Sequence, residues 1–180
     1  MKATGIVRRI DDLGRVVIPK EIRRTMRIRE GDPLEIFTDK NGEVIFKKYS
    51  PLGELATFST DLCESISKTT NFTCAICDKD TVVAIYGSIK KDVLDAKISN
   101  LIEAVMAERA VYEYKKGEAT LSIIEADGKY ITKALAPIIC DGDVTGAIVL
   151  IDMDTDKEVT ECDLKVIQTS ALFLAKHMTN

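Results

Sequence analysis

The alternation of apolar and polar positions in the first fifty residues predicts two β-hairpins and one short helix. Apolar, often β-branched residues bounded by turn signals predict strands at 2–10, 15–18, 34–39 and 43–48. Pro19 ends the second strand, and because proline suits the first turn of a helix, a helix is predicted over 20–26. Turns are predicted at Asp11-Asp12-Leu13-Gly14, Gly31-Asp32-Pro33 and Asn41-Gly42.

The small size of this first region predicts that it folds as a homodimer. About 48 residues bury too little surface for a comfortable monomer, and a helix of about two turns is unstable alone. A second copy of the same chain is the simplest source of the missing core. Tyr49-Ser50-Pro51 has the composition of a hinge, so the sequence predicts two domains, 1–50 and 51–180.

The remaining residues predict an α+β domain in which five strands form a mainly antiparallel sheet flanked by helices. Apolar residues recur every three or four positions and predict helices at 52–69, at 91–109 and from Thr160 onwards. The predicted strands are 72–77, 82–86, 119–125, 130–139 and 144–151. Short turns at Asp127-Gly128 and Asp141-Gly142 connect the last three strands, which makes neighbouring strands antiparallel.

The last helix is apolar on two sides. Thr160 is a suitable N-cap, and the acidic residues that follow it complement the helix dipole. One apolar stripe consists of Leu164, Ile167, Ala171, Leu174 and Met178, and a flanking stripe consists of Val166, Ser170 and Phe173. A helix with two apolar sides needs two partners. We expect the sheet of its own domain to be one partner and another subunit to be the second, which favours a homotetramer.

The charge of the chain is divided between its two parts. The formal net charge is −4, with a pI near 5.2. Residues 1–50 carry 12 basic against 8 acidic side chains, whereas the remainder carries 13 against 21. Arginine supplies a planar fork for phosphate oxygens and base edges, and dense positive charge on a two-fold β-scaffold indicates phosphate binding. The arginines are Arg8, Arg9, Arg15, Arg23, Arg24, Arg27 and Arg29.

Composition argues against secreted and membrane-embedded proteins. The longest apolar run has about seven or eight residues, where a membrane span needs about 20. The first residues lack the apolar segment of a signal peptide, and the five cysteines lack the spacing of a disulfide framework. We therefore expect a cytoplasmic protein with free thiols.

Neither the cysteines nor the acidic clusters predict a metal site or a catalytic site. Cys74 and Cys77 form a C-x-x-C motif, but on a strand they point to opposite faces. The acidic run from Asp152 to Asp156 resembles a calcium loop, yet Lys157 occupies the position that needs glycine. His177, the only histidine, has no catalytic partner in the sequence. We expect no metal, no cofactor and no catalytic residues.

The run from Gly14 to Arg24, preceded by Thr4-Gly5-Ile6-Val7-Arg8 and followed by Gly31-Asp32, resembles the AbrB-type swapped-hairpin domain of bacterial transition-state regulators. The resemblance covers residues 1–50. It implies that two chains exchange hairpins to form one interlocked, all-β barrel with a short helix. It also implies that basic residues around the first turn face double-stranded DNA. The residues that match are Arg8, Arg15, Arg23 and Arg24, with Lys2 and Arg9 nearby.

The rest of the chain resembles a GAF domain, a small-molecule or dimerisation module. The resemblance rests on Ala136-Pro137-Ile138-Ile139, Gly142 and the apolar strand Gly146-Ala147-Ile148-Val149-Leu150. It implies a domain for oligomerisation with a possible small-molecule ligand, which the sequence does not identify. The Asn-Lys-Phe-Asp-Glu signature of cyclic-nucleotide GAF domains is absent from the sequence, which argues against those nucleotides.

A swapped-hairpin domain followed by a GAF domain resembles a family of sporulation regulators from endospore-forming bacteria. The resemblance implies a tetrameric, nucleoid-associated protein of the forespore that activates and represses sporulation genes. The sequence therefore predicts a DNA-binding transcriptional regulator, not an enzyme.

Two alternatives stay open at the level of sequence. Some GAF proteins reduce free methionine sulfoxide through two cysteines, which would have to meet among Cys63, Cys74, Cys77, Cys140 and Cys162. The swapped-hairpin domain also occurs in antitoxins, but those proteins carry a short, disordered tail. The long folded region after residue 50 argues against an antitoxin.

Overall fold

The computed structural model describes residues 4–125 and 129–178, and the chain divides into two compact units. The N-terminal unit is Met1–Tyr49 and the C-terminal unit is Ser50–Asn180. Over the described residues, no helix combines the length and apolar character needed to cross a membrane.

The N-terminal unit contains one short helix and one hairpin among its described residues. Helix α1 (Lys20–Thr25) begins directly after Pro19, as predicted. It ends where Arg27 adopts a left-handed conformation (φ 53°) and the Ile28 N–H donates to the Arg23 carbonyl at 2.7 Å. Strands β1 (Leu34–Thr38) and β2 (Val44–Lys48) pair antiparallel and confirm the second predicted hairpin.

The strands expected at 2–10 and 15–18 are not paired within the single chain. Residues 5–10 and 15–18 have no strand ladder in the described part of the unit, although a turn forms between them. A strand requires a neighbour for its backbone N–H and C=O groups, and β1 and β2 satisfy each other. The strands expected at 2–10 and 15–18 are therefore not seen in the described part of a single chain, whereas the turn expected between them is formed.

The C-terminal unit is an α+β domain built on one five-stranded sheet. Its strands are β3 (Thr73–Asp78), β4 (Val82–Tyr86), β5 (Tyr112–Glu113), β6 (Ile131–Cys140) and β7 (Asp143–Asp152). The strand order is β4-β3-β7-β6-β5, and every neighbouring pair is antiparallel. The helices are α2 (Pro51–Glu54), α3 (Ala56–Thr70), α4 (Lys90–Val93), α5 (Asn100–Ala107) and α6 (Glu161–Met178). The predicted fold class is confirmed.

Helices cover both faces of this sheet, so its central strand is buried on both sides. Ile148 and Leu150 of β7 belong to the core formed with α2, α3 and α6. Val149 and Ile151 of the same strand belong to a second core formed with α4 and α5. The alternation follows from the two-residue period of a strand.

Two local signals gave correct element boundaries. Asp141 (φ 51°) and Gly142 (φ 85°) form the two-residue turn between β6 and β7, where both positions need a positive φ. Thr160 caps α6, because its hydroxyl accepts from the Asp163 N–H at 3.2 Å while the Asp163 carboxylate accepts from the Thr160 N–H at 2.9 Å.

The single helix expected at 91–109 is wrong. The chain forms α4 and α5, and between them Asp95 adopts φ 62°, which a continuous helix does not allow. Lys97 and Ile98 bridge to Thr81 and Ile124 across the sequence. The Ser99 hydroxyl then caps α5 by accepting from the Ile102 N–H at 3.3 Å.

The strand expected at 119–125 is also wrong, and the edge strand lies earlier, at β5. The backbone carbonyls of this segment accept hydrogen bonds from two different parts of the chain, the start of α5 and strand β6. The Ile123 carbonyl accepts from Ser99 at 2.9 Å, while the Leu121 carbonyl accepts from Thr132 at 2.7 Å. Isolated bridges replace a continuous ladder. The turn expected at Asp127-Gly128 lies outside the described residues.

Candidate nucleic-acid interface

The predicted DNA-binding arginines lie on the exposed surface of the N-terminal unit or close to it. Arg8 and Arg9 are exposed in the extended segment before the first turn, and Arg15 is the last residue of that turn. Arg23 is half-buried and Arg24 is exposed, and both occupy the last turn of α1. Lys2, the remaining candidate, lies outside the described residues.

A single carboxylate organises the first turn. The Asp11 Oδ1 atom accepts from the backbone N–H groups of Leu13 (3.0 Å) and Arg15 (2.8 Å). The Gly14 N–H donates to the Asp11 carbonyl, and the Asp11 N–H donates to the Arg15 carbonyl, both at 3.0 Å. Gly14 has φ 77°, a conformation that glycine adopts without strain. These bonds fix the turn without any help from flanking strands.

The second turn of the unit repeats this geometry. The Asp39 Oδ1 atom accepts from the N–H groups of Asn41 (3.0 Å) and Glu43 (2.8 Å), and Gly42 has φ 80°. This second turn joins the paired strands β1 and β2. The first turn has the same hydrogen bonds at residues 11–15, so it has the geometry of a hairpin turn. The expected Asn41-Gly42 connection is thus part of a longer turn that begins at Asp39.

The two turns differ in what the second carboxylate oxygen binds. In the first turn the Asp11 Oδ2 atom accepts from Arg15 Nε at 2.8 Å. In the second, the Asp39 Oδ2 atom accepts from the amide of Asn41 at 3.0 Å. The backbone and side-chain hydrogen bonds from Arg15 lower the pKa of Asp11. Sequence reasoning identified Asp11 only as a turn residue; the repeated Asp-x-x-Gly at 11–14 and 39–42 was the available signal.

The apolar side chains of the N-terminal unit are not buried in its own core. Among the described residues 4–49, only Pro19 is buried. Large apolar side chains that a single chain leaves exposed are candidates for burial against a partner. The exposed apolar residues are Ile6, Val7, Ile10, Leu13, Val16, Val17, Met26, Ile36, Phe37, Val44, Phe46 and Tyr49.

The cysteines of the C-terminal unit are placed as the strand period predicted. Cys74 belongs to the core under α3 and α6, and Cys77 belongs to the opposite core. Cys63 of α3 contacts Cys74, and burial together with this neighbouring thiol raises the pKa of Cys74. Burial raises the pKa of Cys77 to about 12. Buried thiols with raised pKa values are poor nucleophiles.

The acidic loop after β7 is paired with lysines. The Asp152 carboxylate binds Lys157 Nζ at 2.7 Å, and the Asp156 carboxylate binds Lys116 Nζ at 3.0 Å. Within residues 4–125 and 129–178, no group of three or more His, Cys, Asp and Glu side chains is arranged to hold a metal ion.

An aromatic cluster lies on the outer surface of α3 and α6. Phe173 and His177 meet edge to face at 4.6 Å between ring centroids, and Phe58 lies 6.0 Å and 5.3 Å from them. Leu172 beside them is 69% exposed. Leu174, from the other apolar stripe of α6, is fully buried in its own unit. Sequence reasoning missed Phe58, because its partners come from a distant helix.

A buried lysine is the other feature that the sequence did not reveal. Lys133 lies at a bulge of β6, where its Nζ atom donates to the Thr155 carbonyl at 3.0 Å and lies 4.6 Å from the Tyr114 ring centroid. Burial lowers the pKa of Lys133. The hydroxyls of Thr132, which precedes Lys133 in β6, and of Ser122 are buried with no hydrogen-bond partner among the described residues.

Two sequence families match the chain. The family described as "Stage V sporulation protein T C-terminal, transcription factor" matches residues 54–179. The family described as "Antidote-toxin recognition MazE, bacterial antitoxin" matches residues 7–53.

Two proteins of Bacillus subtilis (strain 168) are similar in sequence. Stage V sporulation protein T is 46% identical over 178 residues, which cover 99% of each protein. The transition state regulatory protein AbrB is 61% identical over 51 residues, which cover 28% of this chain and 52% of that protein.

Solved structures resemble the C-terminal unit in fold alone. The GAF domain of an Acinetobacter phosphoenolpyruvate-protein phosphotransferase matches with a TM-score of 0.55 and 14% identity, over 73% of this chain and 84% of that chain. A type II free methionine-R-sulfoxide reductase from Thermoplasma acidophilum matches with a TM-score of 0.53 and 14% identity, over 71% and 94%. The C-terminal unit therefore has a GAF fold.

Proposed function

The chain belongs to the family of stage V sporulation protein T transcription factors, and from this premise we propose that it is a DNA-binding regulator that activates and represses sporulation genes. The similarity over 99% of each protein carries the proposal. It covers the arginine-rich N-terminal unit and the GAF unit together.

We propose that the N-terminal unit contacts double-stranded DNA through Arg8, Arg9, Arg15, Arg23 and Arg24, with Lys2. Successive residues of a helix project about 100° apart, so Arg23 and Arg24 cover a wide arc at the end of α1. Arg15 sits on a hairpin turn that is narrow enough to approach a groove. Exposed guanidinium groups on such elements suit phosphate oxygens and base edges.

We propose that the partner of the N-terminal unit is a second copy of this chain, which exchanges hairpins with the first. The first turn is formed, while the segments on both sides of it lack ladder partners in the described chain. The same segments expose Val7, Ile10 and Val17. Pairing between two copies would satisfy the backbone groups and bury these side chains in one step.

We propose that the C-terminal unit joins such dimers into a tetramer through Phe58, Leu172, Phe173 and His177. These side chains form an exposed aromatic and apolar surface on α3 and α6. Aromatic residues provide much of the binding energy at protein interfaces.

We propose that the same unit senses a polar small molecule through Lys133, Ser122 and Thr132. The buried Lys133 ammonium group donates to the Thr155 carbonyl, and the carboxylates of Asp152, Asp154 and Asp156 act on it electrostatically without forming an ion pair among the described residues. The hydroxyls of Ser122 and Thr132 are buried and have no hydrogen-bond partner among the described residues, which suits a polar ligand. A thermal-shift screen of the full chain against polar metabolites tests this idea. The Lys133→Met variant should lose any stabilisation found, and the absence of any stabilising compound would contradict a sensing role.

We propose that the protein has no enzymatic activity and acts at the nucleoid of the forespore. The thiol-dependent alternative needs two reactive cysteines, but Cys63 and Cys74 meet inside the core beneath α3. The antitoxin alternative is not favoured, because residues 50–180 form a large folded unit. The family assignment supports the location.

Removal of two arginines from the full chain tests the DNA-binding role. The Arg23→Ala, Arg24→Ala double variant should weaken binding to a fluorescent duplex by at least tenfold, since each dimer loses about four phosphate contacts. Arg109→Ala, which removes an exposed arginine of the C-terminal unit, is the matched control and should bind like the wild type. Equal affinities for all three proteins, measured by anisotropy, would contradict the proposed interface.

A further inference from the structure

Arg15 differs from the other proposed DNA-contacting arginines in having a carboxylate partner. Its Nε atom lies 2.8 Å from Asp11 Oδ2, while its side chain stays 68% exposed. Arg8, Arg9, Arg23 and Arg24 have no such ion pair with any residue that the structure describes. The Asp11–Arg15 pair is therefore a local arrangement of one arginine at the end of the first turn.

We propose that Asp11 is a positioning residue that holds the Arg15 guanidinium in one orientation for DNA, and thereby raises the protein's discrimination between DNA sequences. The inference rests on the proposed DNA-binding function. Asp11 itself need not touch the DNA in this account, because it acts through Arg15.

The planar shape of the guanidinium explains the effect. Arginine can present two edges to a bidentate acceptor, one formed by Nε with an Nη atom and one formed by both Nη atoms. Asp11 occupies Nε, so the edge with both Nη atoms stays free to bind a guanine edge. A side chain held in one orientation loses less conformational entropy on binding. Because hydrogen bonds from Arg15 lower the pKa of Asp11, the carboxylate stays ionised at neutral pH.

The second turn indicates that the ion pair is not required to build the hairpin. Asp39 accepts the same two backbone N–H groups as Asp11, but its second oxygen accepts from a neutral amide. The residue that corresponds to Arg15 is Glu43, which carries the opposite charge. The turn thus needs the aspartate, whereas the arginine at its end serves another purpose.

If Asp11 instead masked Arg15 from DNA, its neutralisation would have a different effect on binding. If Asp11 competed with DNA for Arg15, its neutralisation would strengthen binding to every duplex alike. If it positions Arg15, neutralisation reduces the preference for the correct sequence, even though one negative charge near the phosphates has been removed.

The experiment compares two duplexes and uses the full chain. One duplex is the tightest sequence that the wild type selects from a random pool, and the other is a scrambled version of equal composition. Asp11→Asn keeps acceptors for the backbone N–H groups but loses the charge that binds Arg15. The Kd for the scrambled duplex divided by the Kd for the selected duplex measures discrimination. We expect this ratio to fall by about three- to tenfold in Asp11→Asn, which is part of the discrimination that a bidentate base contact provides.

Matched variants separate positioning from turn stability. Asp39→Asn makes the same change in the equivalent turn and should leave the ratio within about twofold of wild type. In an Arg15→Ala background, Asp11→Asn should have no further effect on the ratio, because its target is gone. Arg15→Lys keeps the charge but lacks the planar fork and should lower the ratio as Asp11→Asn does, which provides a test even if the latter misfolds.

Several outcomes would overturn the inference. An unchanged ratio for Asp11→Asn, or tighter binding to both duplexes alike, would exclude a positioning role. An equal loss in Asp39→Asn, or a further loss in the Arg15→Ala background, would assign the effect to hairpin stability. Wild-type protein that selects no sequence from the random pool and binds no duplex would contradict the proposed function itself, and so is distinguishable from failure of the inference alone.

Discussion

Cys74 and Cys77 illustrate what a residue's position in a strand decides. Their separation of three positions places them in opposite cores of the C-terminal unit. This arrangement was predictable from the period of a strand alone. The contact between Cys63 and Cys74 was not predictable, because it depends on how α3 packs across the sheet. Burial raises the pKa of both Cys74 and Cys77, so these two thiols resist ionisation in the folded state.

Stability at alkaline pH should depend on Cys77. Burial raises the pKa of its thiol from 9.0 to about 12, so the folded state holds this proton more tightly than the unfolded state does. The thiol's contribution is fully present below pH 9 and is lost as the pH rises towards 12. Between pH 8 and 10, wild type should lose about 1.4 kcal/mol more than Cys77→Ala. Urea titrations followed by circular dichroism measure the difference, and parallel pH profiles would contradict it.

Lys133 and Asp11 mark the limit of residue-level prediction. A lysine in an otherwise apolar strand is expected to be exposed, but Lys133 lies at the bulge in β6 and is buried. The sequence predicts Asp11 as a turn residue. Its proposed second role, positioning Arg15, rests on the distance between its carboxylate and Arg15 Nε. Both cases depend on side-chain contacts that spacing along the chain does not specify.

Elements with their own start and stop signals were predictable. Pro19 before α1, the Asp141-Gly142 turn and the Thr160 cap each act within a few residues, and all three lie where the sequence placed them. The break between α4 and α5 depends instead on bridges from Lys97 and Ile98 to distant residues. Apolar residues continue to recur every three to four positions through this break, so periodicity alone predicted one helix where there are two.

The exposed face of α6 should control assembly. Phe173→Asp places a charge in the aromatic cluster of Phe58 and His177, where an unpaired buried charge would be strongly unfavourable in an interface. We expect the mass of the full chain, measured by light scattering, to fall to half that of the wild type.

Leu101→Asp is the matched control for this prediction. It makes the same type of change at an exposed apolar residue of α5, which is 55% exposed, and the mass should stay unchanged. Circular dichroism would verify that both variants fold. An unchanged mass for Phe173→Asp would show that this face of α6 is not an interface.

The chain combines a basic N-terminal unit, which lacks an apolar core, with an acidic C-terminal unit, which has two apolar cores. The division of charge was visible in the sequence, and it pointed to two functions more reliably than the overall pI did. The family of the complete chain was also identifiable from its motifs, and sequence similarity supports it. The strands predicted on either side of the first turn are not formed in the described single chain, although the turn itself was predictable from Asp11 and Gly14.

The salt dependence of DNA binding measures how many phosphates the protein contacts. If Arg8, Arg23 and Arg24 of two subunits contact phosphates, about six counterions are displaced, and Arg15 would raise the number to about eight. Between about 50 and 200 mM salt, a plot of log affinity against log salt concentration should then have a slope of about −5 to −7. A slope near zero for the full-length wild type would contradict the account of this protein as a DNA-binding regulator.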